Sequence, residues 1–132
     1  MSSFMGIDYG AKRIGLAFAD EDTKIATPFA TIRNDSSVIP GLVDLCEERG
    51  VEVIVLGESK DFSGEDNPIM QQIRPFKKAL EERSGRPVEF VPEFYTSVEA
   101  RQQPAPAHTV DGSAAAIILQ SYLDELPHED TN

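Results

Sequence analysis

The chain has 132 residues, which is enough for one domain with its own core and too few for two ordinary domains. Hydrophobic residues make up 40% of it and no apolar run is long enough to cross a bilayer, so we expect a globular protein without a membrane partner. Twenty-three acidic and twelve basic residues give a formal charge of -11, which repels polyanions at long range and on charge alone argues against nucleic acid as a partner.

The first part of the chain predicts an antiparallel meander of three strands. Residues 4–9 and 14–19 are short apolar runs joined by a turn around Gly10, and residues 24–33 form a third run. Because proline cannot donate a hydrogen bond to a neighbouring strand, Pro28 favours an edge position or a bulge for the third strand.

Helices and strands alternate in the rest of the chain. Residues 36–49 and 68–83 have the apolar spacing of helices, and 51–57 and 87–91 read as strands, the first of them nearly continuously apolar as in a parallel sheet. Residues 96–99 fit a helix-capping box, and 110–126 predict a last helix. A meander followed by helical crossovers predicts an α/β fold with a mixed five-stranded sheet flanked by helices.

Domain limits and location also follow from the sequence. We expect residues 1–126 to form the single domain and 127–132 an acidic C-terminal tail. The start of the chain lacks the basic and apolar segments of a secretion signal, so we expect a cytoplasmic protein. The lone Cys46 cannot form an internal disulfide, which agrees with a reducing compartment, and its helical position predicts a plain core thiol.

Three acidic residues fall where this topology would bring them together. Asp8 ends the first strand and Glu93 follows the last one, so both should lie at the carboxyl edge of the sheet, where ligands tend to bind. Asp111 opens the final helix beside a run of small residues that allows close packing on the sheet. Each acid also has a plainer interpretation, as a turn aspartate, a loop glutamate or a helix-terminal charge.

Carboxylates that converge in this way repel one another unless a cation neutralises them. Oxygen ligands without a companion Cys or His cluster favour Mg²⁺ or Mn²⁺ over zinc. Two such ions about 4 Å apart would activate water and stabilise the leaving oxygen of a phosphodiester. The sequence therefore predicts Asp8, Glu93 and Asp111 as metal ligands and catalytic residues.

Several other residues are candidates for binding phosphate. Lys12 and Arg13 follow Asp8 in the first turn, although both could be solvated hairpin charges. Lys60 lies in the predicted loop after the central strand. Thr96 and Ser97 cap a short predicted helix whose N-terminal amides could receive a phosphate oxygen.

Four segments resemble, in order and spacing, the four blocks of the YqgF/RuvX family of pre-16S rRNA nucleases, which is related to Holliday junction resolvases: GIDYGAKRIGLA, VIVLGES, VPEFYTSVEAR and VDGSAAAIILQSYLD. The resemblance implies an RNase H-like fold and metal-dependent phosphodiester cleavage. Its implied role is 5′-end maturation of pre-16S rRNA in ribosome biogenesis, with pre-16S rRNA or branched DNA, and ribosomal precursor particles, as partners. The family's acidic residues map to Asp8, Glu93 and Asp111, its arginine to Arg13, and its hydroxyl pair to Thr96 and Ser97.

The chain also departs from this family's pattern. It has Pro92-Glu93-Phe94 where members usually have Asp-Glu-Arg, Gly57-Glu58-Ser59 where they have Gly-Leu-Pro, and a loop at 102–108 without the usual cations. These changes favour an alternative, in which a catalytically degenerate member acts as a protein-binding module. A nucleotide-binding ATPase fragment is a second alternative, because Asp-x-Gly at a hairpin also occurs in such folds, but the chain is short for their two lobes.

Overall fold

The computed structural model describes residues 2–94 and 113–126. Within these ranges the chain forms five strands and three helices in an order that matches the predicted one. They are β1 (Ser3–Tyr9), β2 (Arg13–Asp20), β3 (Thr27–Arg33), α1 (Val38–Arg49), β4 (Val51–Lys60), α2 (Met70–Ser84), β5 (Val88–Phe94) and α3 (Ser113–Asp124).

The strands form one mixed sheet in the order β3-β2-β1-β4-β5. The β1–β2 and β2–β3 pairs are antiparallel, whereas β1–β4 and β4–β5 are parallel. The predicted mixed five-stranded sheet is therefore confirmed. The strand that contains Pro28 lies at one edge, and its register shifts beside Ala17, the partner of Pro28. Both features agree with the missing proline N–H.

The two faces of the sheet carry separate apolar cores. On one face α1 and α2 cover side chains such as Ile7, Leu16 and Leu56, and Cys46 is fully buried in this core as predicted. On the other face α3 covers Val55 and its neighbours. No helix in the described ranges is both long enough and apolar enough to span a bilayer.

Helix α3 approaches the centre of the sheet unusually closely at Gly6. A Cβ atom placed on Gly6 would lie 2.7 Å from Cβ of Leu119 and 2.8 Å from the carbonyl oxygen of Ala115, so any larger residue would push the helix away. This contact fixes α3 against β1. Because Asp8 is two residues further along the same strand, the helix also forms a wall beside that carboxylate.

Two predicted boundaries are wrong, and both concern candidate site residues. Strand β4 continues to Lys60 and β5 continues to Phe94, so Lys60 and Glu93 lie in strands and not in the loops that follow them. The cause is parallel pairing of Ser59 with Glu93 and of Lys60 with the last residue of β5, which a local apolar pattern does not reveal. Pro92 is tolerated there because β5 is an edge strand.

Candidate active site

One edge of the sheet collects charged side chains on the face that packs against α3. Successive strand residues point to opposite faces, and Phe4, Ala17 and Val91 all lie in the α3 core. The same alternation places Asp8, Arg13 and Glu93 on this face. The edge contains the ends of β1, β3, β4 and β5 and the start of β2, so these residues share one corner of the molecule.

The two acids reach towards each other across β4. Gly57 of β4 comes directly after Leu56, which pairs with Ile7 of β1. Gly57 itself pairs with Val91 of β5, two residues before Glu93. A Cβ atom on Gly57 would lie 3.5 Å from Cγ of Glu93 and 2.8 Å from Cδ1 of Ile118. The glycine therefore leaves room for the glutamate to lean over β4. A cavity of about 10 Å³ is lined there by Asp8, Tyr9, Gly57, Ser59, Ile73, Glu93 and Ile118.

The electrostatics of this acid pair are unfavourable without a cation. Burial raises the pKa of Asp8. Burial, and secondarily the negative charge of Asp8, raises the pKa of Glu93. Hydrogen bonds and ion pairs to the two carboxylates are absent from the described part of the chain. Two partly buried acids without a counter-charge form a donor set that suits a hard divalent cation.

Three other predicted site residues cannot be placed beside this pair. Asp111, Thr96 and Ser97 all lie outside the described residues. Within residues 2–94 and 113–126 there is no group of three side chains that could hold a metal ion, so the described part of the chain supplies two of the three predicted ligands. Asp111 precedes α3 by two positions in the sequence.

Lys12 and Arg13 lie on the other side of Asp8, in the turn between β1 and β2. Both are exposed, and they line a groove of about 1040 Å³ together with Gly10, Ala11, Thr31, Ile32, Arg33 and Asn34. Sequence reasoning missed Arg33. The signal that identifies it is the β2–β3 register, in which Arg33 is the direct partner of Arg13, and this register cannot be read from either strand alone.

Lys60 lies on the opposite face of the sheet from Asp8. Its Nζ is 2.9 Å from Oδ1 of Asp66 and 3.5 Å from Oε2 of Glu58. Arg74 of α2 joins the same cluster, with Nη2 2.7 Å from Oδ2 of Asp66. The structure therefore brings Lys60 to acidic partners near α2 and does not bring it to the Asp8–Glu93 pair.

Comparisons with known proteins identify the family of the chain. The model of the RuvX family, described as Holliday junction resolvase, matches residues 2–125. The chain belongs to the RuvX family. Its relatives include proteins of Chloroflexus aurantiacus, 36% identical with 94% of each chain covered, and Thermosynechococcus vestitus, 35% identical with 94% of this chain and 89% of the relative covered. Both are named "Putative pre-16S rRNA nuclease".

A solved structure supports the fold. T. thermophilus RuvC, solved in complex with a Holliday junction substrate, matches with a TM-score of 0.55 at 14% identity, covering 93% of this chain and 94% of RuvC. At this identity the likeness concerns the fold alone. Together with the sheet order, it confirms the RNase H-like fold that the sequence blocks of this RuvX family member imply.

Proposed function

We propose that this RuvX family member is a metal-dependent nuclease that hydrolyses nucleic-acid phosphodiesters, with 5′-end maturation of pre-16S rRNA as its role. The observation that carries the proposal is the Asp8–Glu93 pair, partly buried and without a counter-charge among the described residues. The names of the relatives support the substrate class, and ribosomal precursor particles are the partners that this role requires.

The residues of the proposed metal site are Asp8, Glu93 and Asp111. Their oxygens suit Mg²⁺ or Mn²⁺, and a bound ion would supply an activated water and charge stabilisation for the leaving oxygen. Asp8 is positioned by β1 and Glu93 by β5, while Gly57 keeps the space between them open. None of the described side chains that line the small cavity is a histidine or a lysine, so the two acids are the candidates there for a general base.

The substrate phosphate would be bound beside this pair. Lys12 and Arg13 are exposed and adjacent to Asp8. Their positive charges would attract a substrate phosphate, which the net negative charge of the protein repels. Thr96 and Ser97 are proposed to present helix N-terminal amides to a phosphate oxygen. Lys60 is not included, because its ammonium group is paired with Asp66 and Glu58.

A cleavage assay tests the proposal. Labelled precursor rRNA and a branched DNA junction are each incubated with the protein and Mn²⁺ or Mg²⁺, using wild type, Asp8→Asn, Glu93→Gln and the surface control Asp44→Asn on α1. We expect cleavage that requires the metal, is lost in the first two variants and is kept in the control. Equal cleavage by wild type and Asp8→Asn would contradict the assignment, and the preferred substrate would distinguish RNA from DNA.

A second candidate function is a non-catalytic protein-binding module. The formal charge of -11 and the Pro92-Glu93-Phe94 sequence beside the acid pair favour it. A module of this kind would cleave neither substrate with any divalent cation. The cleavage assay therefore separates the two functions without a further experiment.

A further inference from the structure

The groove lined by Lys12, Arg13, Arg33 and their neighbours, here called the β1–β3 groove, continues the edge that holds the acid pair. From Glu93 on β5 the edge passes Asp8 on β1 and reaches Arg13 on β2 and Arg33 on β3. Direct cross-strand partners point to the same face, so Arg33 shares the α3 face with Asp8. Two strand spacings separate β1 from β3, which is about 10 Å.

The groove brings three cationic side chains together at one corner of an acidic protein. Among the described residues, no carboxylate oxygen lies within 4 Å of the cationic groups of Lys12, Arg13 or Arg33. Like charges directly opposite each other on neighbouring strands are destabilising, and Arg13 and Arg33 are opposite. The Asp35 carboxylate interacts electrostatically with Arg33, and an anion between the two guanidinium groups would offset the repulsion that remains.

The groove is also held in a fixed shape. The Asn34 side chain donates a hydrogen bond to the carbonyl oxygen of Gly10 at 2.8 Å, and its backbone N–H donates to the carbonyl oxygen of Lys12 at 2.9 Å. These two bonds tie the β1–β2 turn to the end of β3. In the groove wall Oγ1 of Thr31 is buried and has no hydrogen-bond partner in the described part of the chain. Because this oxygen is inaccessible, a ligand in the groove would be held by the exposed cations and not by the Thr31 hydroxyl.

We infer that the β1–β3 groove is a second phosphate subsite, which binds the sugar-phosphate backbone of the substrate strand on the β3 side of the cleavage position. The inference rests on the proposed nuclease function and adds the path that the substrate strand takes across the protein. About 10 Å corresponds to roughly three nucleotides of axial rise. The substrate strand would then leave the acid pair across Arg13 and Arg33, away from the α2 face where Lys60 and Arg74 are already paired.

Oligonucleotide binding with salt titration tests the subsite. A fluorescein-labelled single-stranded oligouridylate is titrated with protein in EDTA, which prevents metal-dependent cleavage, at several salt concentrations. The variants are Arg33→Gln and the matched control Arg83→Gln, an exposed arginine in the last turn of α2. We expect Arg33→Gln to bind about tenfold more weakly, with a salt slope shallower by about 0.7 for the lost contact. Arg83→Gln should match wild type.

The outcomes separate the subsite from the catalytic assignment. Arg33→Gln that binds like wild type, losses of equal size in both variants, or wild type that does not bind the probe would each overturn the inference. If Arg33→Gln weakens binding selectively but the protein cleaves nothing with any metal, the subsite stands and the nuclease function fails. If cleavage depends on Asp8 while Arg33→Gln binds normally, the nuclease function stands and the subsite fails.

Discussion

Two groups of cations lie at the same edge of the sheet, on opposite faces, and they differ in their partners. On the α2 face Lys60 and Arg74 both contact Asp66, at 2.9 Å and 2.7 Å, and Glu58 lies close to both. On the α3 face Arg13 and Arg33 have no such contact among the described residues, although they are direct cross-strand partners.

This difference shows how an acidic protein can still present a polyanion-binding surface. In a chain with nearly twice as many acidic as basic residues, neighbouring carboxylates can neutralise a cation, as they do for Lys60 and Arg74. Surface pairs of this kind contribute little to stability, so neutralising the charge is their main consequence. Lys12, Arg13 and Arg33 are without such an ion pair among the described residues, and they line one groove at the corner of the sheet that contains Asp8. The net charge argues against nucleic acid as a partner, whereas the location of these cations favours it. The location is the stronger of the two indications.

Charge reversal on the two faces should have the largest and most unequal effect. We expect Arg13→Glu to reduce Mn²⁺-dependent cleavage on the order of 100-fold, since it replaces a phosphate-binding cation with a repelling charge. Arg74→Glu should change the rate less than about threefold, because Arg74 is not directed at the acid pair. Single-turnover rates with labelled precursor rRNA measure both. Losses of similar size would mean that the two groups of cations are equivalent.

The unpaired acids should cost the protein stability in the absence of metal. Because burial raises the pKa of Asp8, its ionisation is less favourable in the folded state, so the stability contributed by the protonated form is lost as pH rises through the folded pKa. Asp8→Asn should therefore raise the Tm by roughly 4 °C at neutral pH in EDTA. The difference should vanish below the ordinary Asp pKa of 3.8. A lower Tm for Asp8→Asn at neutral pH would show that the carboxylate has a stabilising partner.

Removing Asp66, the acid shared by Lys60 and Arg74, should leave the cations of the α2 face less neutralised and so more like those of the α3 face. Among the described residues, Asp66→Asn would leave Glu58 as the one carboxylate partner of Lys60 and Arg74. We expect its affinity for the labelled oligouridylate to rise about threefold as these cations become available to phosphate. The exposed Asp44→Asn on α1 removes the same charge elsewhere and serves as the control. An equal gain in both variants would indicate a net-charge effect and not released cations.

The smallest expected difference is in stability. Arg74→Ala should lower the urea midpoint slightly, because it removes the 2.7 Å contact with Asp66. Arg33→Ala should lower it less, because the lost attraction to Asp35 is offset by relief of the repulsion with Arg13. Chemical unfolding followed by circular dichroism compares the two. A larger loss for Arg33→Ala than for Arg74→Ala would show that Arg33 has a stabilising role in the fold.

The sequence predicted most of the fold because its elements are locally encoded. The apolar run of β4, the helical spacing around Cys46 and the turn at Gly10 each identify an element, and their order determines the sheet topology. The extra length of β4 and β5 was not predictable in this way. Ser59 and Glu93 are polar, and they become strand residues only through pairing with each other.

The candidate site was predictable to the extent that topology determines it. Parallel β1 and β5 explain why Asp8 and Glu93 were expected to be neighbours, and burial together with repulsion agrees with that expectation. Arg33 was missed because its position depends on the β2–β3 register. Lys60 was interpreted as a loop residue, because the sequence does not reveal that β4 continues to Lys60 and that the chain then turns back to bring Asp66 to it. Asp111, Thr96 and Ser97 remain predictions.

The measurement that tests the account most directly is a Mn²⁺ titration of wild type, Asp8→Asn and Glu93→Gln, followed by thermal unfolding. A cation held by the acid pair binds the folded state preferentially, so the wild-type Tm should rise with Mn²⁺ concentration by mass action. Both variants should show little or no rise, and Asp44→Asn should behave like wild type. A Tm that does not respond to Mn²⁺ in wild type, or that rises equally in all four proteins, would contradict the metal site.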